Sequence, residues 1–65
     1  MKNKLKEIRF YRNLRQIDLQ KMSGIDTARI SYIENEVFDP TENEKKKLMK
    51  ALNLGIDEIF PTIQE

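Results

Sequence analysis

The stretch Gln16–Glu36, QIDLQKMSGIDTARISYIENE, decides how this chain folds. Its first part reads as a helix from Gln16 to Met22 or Ser23, burying Leu19. Gly24 ends that helix, because the turn needs a positive φ that glycine adopts without a Cβ clash. Asp26 is a natural N-cap, its carboxylate accepting from the free N–H groups of the next turn. A second helix then runs from Thr27 to about Asn35, with Ile30 and Ile33 inward. Leu19, Ile25, Ile30 and Ile33 are the apolar residues needed where the two helices cross.

Working outward, a helix from about Asn3 to Arg12 places Leu5 and Ile8 on one face. Asn13 is suited to its left-handed C-terminal position. On the other side, Glu36–Pro40 reads as a loop anchored by Val37 and Phe38. Thr41 with Glu44 spells a capping box, and Leu48, Met49, Ala51 and Leu52 give the buried face of the helix that follows. Gly55 permits a bend. A last short helix carries Ile56, Ile59 and Phe60 until Pro61 stops it. Scarce glycine and proline, two of each, favour helices over strands. The expectation is a compact all-α domain of five helices filling residues 1–65.

Composition narrows the function. Sixty-five residues with 38% hydrophobic content, against a typical ~45–50%, must build a core economically. No cysteine means no disulfide framework or thiolate metal site, and no histidine removes the commonest general base and zinc ligand. Carboxylates are plentiful, but no pair is spaced for catalysis and no glycine loop would cradle a phosphate. No enzyme, cofactor or metal is expected. No apolar segment follows Met1 and none approaches the ~18 residues of a membrane span, so the expected location is cytoplasmic, with no membrane partner.

The net charge of +1 hides a gradient. Residues 1–15 carry six basic groups and one acid, whereas residues 36–65 carry four lysines and seven acids. A basic N-terminal region suits nucleic acid or an acidic partner; equally, it suits a solvated helix face. Lys45, Lys46 and Lys47 read as solvated, diluted by Glu42 and Glu44. Phe10 projects away from Leu5 and Ile8, and Arg12 projects near the core side.

Two short helices joined by a glycine turn within Gln16–Glu36 form a helix-turn-helix arrangement. Projected at about 100° per residue, the second helix puts Ala28, Ser31, Tyr32 and Asn35 opposite its isoleucines, with Thr27 and Arg29 on the flanks. That outer face is small or polar and nearly free of acid, so it fits a major groove. Thr27 and Ala28 offer methyl groups to thymine, Arg29 a fork for guanine O6 and N7, and Tyr32 a contact to a base edge or phosphate. Read plainly, Arg29 is an exposed helix arginine and Tyr32 a ring lying on the surface.

Leu5-x-x-Ile8-Arg9, Leu14-x-Gln16-x-x-Leu19, Gly24-Ile25 and Ile30-Ser31-x-Ile33-Glu34-Asn35 carry a resemblance. So do Pro40-Thr41, Lys50-Ala51-Leu52-x-Leu54 and Asp57-Glu58-Ile59-Phe60. From Leu5 to Phe60 the chain resembles the DNA-binding domains of Cro and the phage repressors, the Xre type. The resemblance implies that Gln16 contacts a phosphate and braces the recognition helix. It implies that Thr27, Ala28, Arg29 and Tyr32 face bases or backbone, and that Asn35 lies against a phosphate. It also implies that Arg9 and Glu34 form a structural ion pair between the first and third helices.

Four positions depart from the family pattern. Arg15 replaces an N-capping Ser or Thr, a loss of ~0.5–2 kcal/mol, and brings positive charge to a helix start that attracts phosphate. Gln20 stands where Ala is favoured, Ser23 where an apolar residue or Ala is usual, and Glu36 where Gly is usual. The expected function is sequence-specific binding of double-stranded DNA at an operator, by a regulator acting as a repressor. Homodimerisation through Leu54, Ile56, Phe60, Pro61 and Ile63 would match a palindromic site, and no small-molecule effector is apparent. The alternative is a protein-interaction module such as an antitoxin, compatible with Glu36 and the acidic C-terminal half.

Overall fold

The computed structural model describes residues 3–61. Five helices follow one another: α1 Leu5–Tyr11, α2 Gln16–Ser23, α3 Thr27–Glu34, α4 Glu42–Leu52 and α5 Ile56–Ile59. No strand occurs among the described residues. Each helix contributes to one core made of Leu5, Leu19, Ile25, Ile30, Ile33, Leu48, Leu52 and Ile59. Burying such a side chain stabilises by about 1.5–3 kcal/mol, so these residues are the main cohesive element of a small chain. Ile8, Leu14, Met49, Leu54 and Phe60 pack around its rim. Helix α2 lies against both α3 and α4, and α5 closes on α4.

Helix starts are fixed by side chains that accept from free backbone N–H groups. Asp26 accepts from Ala28 N–H at 3.1 Å, as expected. Thr41 and Glu44 form the full box, with Glu44 N–H on Thr41 Oγ1 at 3.1 Å and Thr41 N–H on Glu44 Oε1 at 2.9 Å. Arginine has no acceptor for a cap, yet α2 keeps half a box, because Arg15 N–H donates to Asp18 Oδ2 at 2.8 Å. Glu58 likewise accepts from Gly55 N–H at 2.7 Å at the start of α5. The cap missing at Arg15 is thus partly offset by the acid three residues later.

Helix ends turn through left-handed residues: Asn13, Gly24, Glu36 and Asn53, at φ 61°, 80°, 60° and 57°. Asn13 and Gly24 do what the sequence suggests. Glu36 adopts the conformation the missing glycine would have supplied, which costs a non-glycine residue roughly 1–2 kcal/mol. Its carboxylate in turn accepts from Asn3 N–H at 2.5 Å. Glu36 N–H on Ile33 C=O and Val37 N–H on Tyr32 C=O complete the end of α3.

Some expectations need correcting. Helix α1 begins at Leu5, because Asn3 sits before it with its side-chain oxygen accepting from Leu5 N–H at 3.1 Å. Val37 and Phe38 do not anchor the following loop in the core. Both are more than half exposed, since the left-handed turn at Glu36 carries the chain outward. Arg12, expected near the core side, is exposed, and its guanidinium reaches over to donate to the Leu52 carbonyl at 2.6 Å, a cation placed on the negative end of α4.

Candidate nucleic-acid interface

Helix α3 presents Ala28, Tyr32 and Asn35 to solvent, with Thr27 and Ser31 half-buried beside them. Its first turn carries no acid. The Asn35 amide nitrogen folds back onto the Ser31 carbonyl at 3.0 Å. Thr27 N–H is capped from the neighbouring helix by Gln20 Oε1 at 2.8 Å. That explains the larger residue at position 20, which ties α2 to the first turn of α3. Ser23 acts similarly at the turn, donating to the Leu19 carbonyl and accepting from Ile25 N–H.

Helix α3 is held by arginine–carboxylate pairs. Arg9 from α1 forks onto Glu34, with Nε on Oε2 at 2.7 Å and Nη2 on Oε1 at 3.2 Å. The third donor to that carboxylate is Gln16 Nε2, at 3.2 Å. A further Arg9 nitrogen reaches the Leu14 carbonyl at 3.0 Å. Glu34 thus joins α1, the start of α2 and the last turn of α3 in one network. Gln16 is placed at the helix start with its amide oxygen unengaged by Glu34 and available to other donors.

Arg29 does not extend a free guanidinium. Its Nε donates to Glu44 Oε2 at 2.7 Å, and its Nη2 donates to Glu44 Oε1 at 3.0 Å and to the Asp39 carbonyl at 3.1 Å. The Phe38 ring lies 5.3 Å from the guanidinium carbon, and Tyr32 meets that ring edge-on with centroids 5.4 Å apart. The pairing holds the Glu44 carboxyl below the usual carboxylate range, chiefly through the Arg29 hydrogen bonds, and raises Arg29 in turn. Glu44 and Phe38 are residues that sequence reasoning missed here. Glu44 carried a sufficient explanation as a capping residue, and a reach of fifteen positions leaves no periodic signal.

Arg15 is exposed but engaged, its side chain pairing with Asp18 at 3.0 Å. That hydrogen bond, reinforced by the one from Arg15 N–H, lowers the Asp18 carboxyl to about 2. On α1, Lys6 and Arg9 lie over the exposed Phe10 ring at 5.9 and 4.8 Å. Leu54, Ile56, Phe60 and Pro61 form a half-buried rim near α5, while Ile63 lies outside the described residues. No helix is long and apolar enough to cross a membrane, and no metal-ligating cluster occurs, among the described residues.

The helix-turn-helix family pattern matches residues 5–59 of the chain. An uncharacterized HTH-type transcriptional regulator of Methanocaldococcus jannaschii is 40% identical over 60 residues, which span 92% of this chain and 91% of the relative. With α2, the Gly24 turn and α3 in place inside a five-helix domain, this chain belongs to the helix-turn-helix family of the Xre and Cro type.

Proposed function

We propose that residues 1–65 act as one DNA-binding domain, a transcriptional repressor that lays α3 in the major groove of an operator. The observation that carries this reading is the outer face of α3. It is free of acid, and of the carboxylates around it those of Asp18, Glu34 and Glu44 are each paired with an arginine, which leaves Asp26 and Glu36 at the two ends of the helix. Phosphates approaching the middle of that face meet little repulsion. In this reading Thr27, Ala28, Ser31 and Tyr32 meet base edges. Gln16, Arg15 and Asn35 contact phosphates at the two ends of that face. The relative's designation as a transcriptional regulator supports the same reading.

Occlusion of DNA by a homodimer is the mode of repression proposed. The half-buried apolar rim of Leu54, Ile56, Phe60 and Pro61 is the proposed contact between copies. A two-fold dimer would set two recognition helices ~34–36 Å apart on a palindromic site. Selection from random duplexes at stated salt is the test. A palindromic consensus is expected, with log affinity falling against log salt by about 0.9 per phosphate neutralised. Binding that ignores salt, or recovers no consensus, overturns the proposal.

A further inference from the structure

We propose that Arg29 is a positioning residue, locking α3 to the first turn of α4 so that the loop between them holds Phe38 against Tyr32 on the DNA-facing side. This rests on the DNA-binding reading above and assigns Arg29 a place within it. The donors that fork onto Glu44 are the ones a guanine O6/N7 contact would require, so the two uses compete. Glu44 is itself fixed, because its Oε1 accepts from Thr41 N–H at 2.9 Å as part of the α4 cap. A second bond from Arg29 to the Asp39 carbonyl fastens the loop directly. Within that loop Val37 and Phe38 are exposed, so core burial does not order it. The guanidinium over Phe38, and Phe38 edge-on to Tyr32, pass the constraint to the recognition helix. Lysine cannot replace such a fork, because its ammonium lacks the planar bidentate geometry.

The full chain and a duplex recovered by selection provide the test, using Arg29→Gln, Arg29→Lys, Glu44→Gln and the Arg29→Gln/Glu44→Gln double variant. Charge alone makes Glu44→Gln bind more tightly, since an acid is lost near DNA; the clamp makes it bind more weakly. Each single variant is expected to lose about three- to tenfold in affinity, the cost of re-ordering one long side chain on binding. The double variant should lose no more than the weaker single. Base preference and the salt slope should match the parent, and Arg29→Lys should not rescue. In the free protein, the ring shifts of Tyr32 and Phe38 should change and the Val37 amide should exchange faster, with the melting temperature nearly unmoved. Tighter binding by Glu44→Gln, combined with relaxed preference at one base pair in Arg29→Gln, overturns the clamp and makes Arg29 a base reader. A salt slope reduced by about one overturns it in favour of a phosphate contact. If the parent selects no duplex, the DNA reading fails alone. Ring shifts and Val37 exchange then decide the clamp, with unchanged values in Arg29→Gln overturning it.

Discussion

Two arginine forks grip α3, and they differ in surroundings rather than in geometry. Arg9–Glu34 and Arg29–Glu44 both close at 2.7 Å, but the first pair is 8% and 2% exposed and the second 29% and 17%. Inside the protein, both charges of the first pair have lost their water, and removing either leaves the other stranded. Near the surface, water and salt can take over part of what the partner supplied. The inner fork therefore belongs to the fold, joining three helices through one carboxylate. The outer fork can be altered while the fold stands, which makes it the place where loop geometry is tunable.

The sharpest way to break this contrast is Glu34→Ala. A loss of ~3–5 kcal/mol is expected from urea unfolding, because Arg9 is left buried without its counter-charge. Replacing both partners with apolar residues, Arg9→Met with Glu34→Leu, should cost much less than either single change. A small loss for Glu34→Ala would mean that the two forks are equivalent. Glu44→Ala should cost about 1 kcal/mol, most of it from the α4 cap, with faster amide exchange confined to the loop and the first turn of α4.

Acid titration gives a third, smaller test. Asp18 is lowered from its ordinary 3.8 to about 2 by Arg15, and Glu44 is held below its ordinary 4.5 by Arg29. A carboxylate with a depressed folded-state pKa contributes stability that is complete above its unfolded pKa and is lost as pH falls through the folded one. The urea midpoint should therefore drop as pH falls from about 5 to about 2, and Asp18→Asn should flatten part of that slope. The smallest effect is ionic. Raising salt to ~1 M should erase most of the difference between the parent and Asp18→Asn, and leave the Glu34→Ala deficit nearly intact.

Much of the architecture is legible in the sequence because its determinants are local. Asp26, Thr41 with Glu44, Gly24 and Asn13 each act within a few residues of their own position, and all four sit where local rules put them. Helical spacing likewise identifies Leu5, Leu19, Ile30, Ile33, Leu48 and Leu52 as core. Legibility ends where two helices must first be placed. Gln20 capping Thr27, Arg12 on the Leu52 carbonyl and Arg29 on Glu44 all depend on crossing geometry. Val37 misleads because an apolar residue just past α3 reads as an inward anchor for the loop, whereas the chain turns left-handed one residue earlier, at Glu36. Of the outer face, Ala28, Tyr32 and Asn35 are exposed as projected, and the engagement of Arg29 is the part that projection alone does not reveal.

Lys4 N–H donates to the Ile59 carbonyl at 2.8 Å, so the run before α1 meets the end of α5 through one backbone bond. Topologically the domain is nearly a ring. A short linker between those two places would allow the chain to be reopened elsewhere without redrawing its core. New ends in the Asn53–Gly55 turn would leave α2, α3 and the loop before α4 in one continuous piece. New ends between Glu36 and Pro40 would cut the span that Arg29 fastens. The paired permutants would thus separate, by gene rearrangement alone, the connectivity that folding requires from the connectivity that the recognition helix requires.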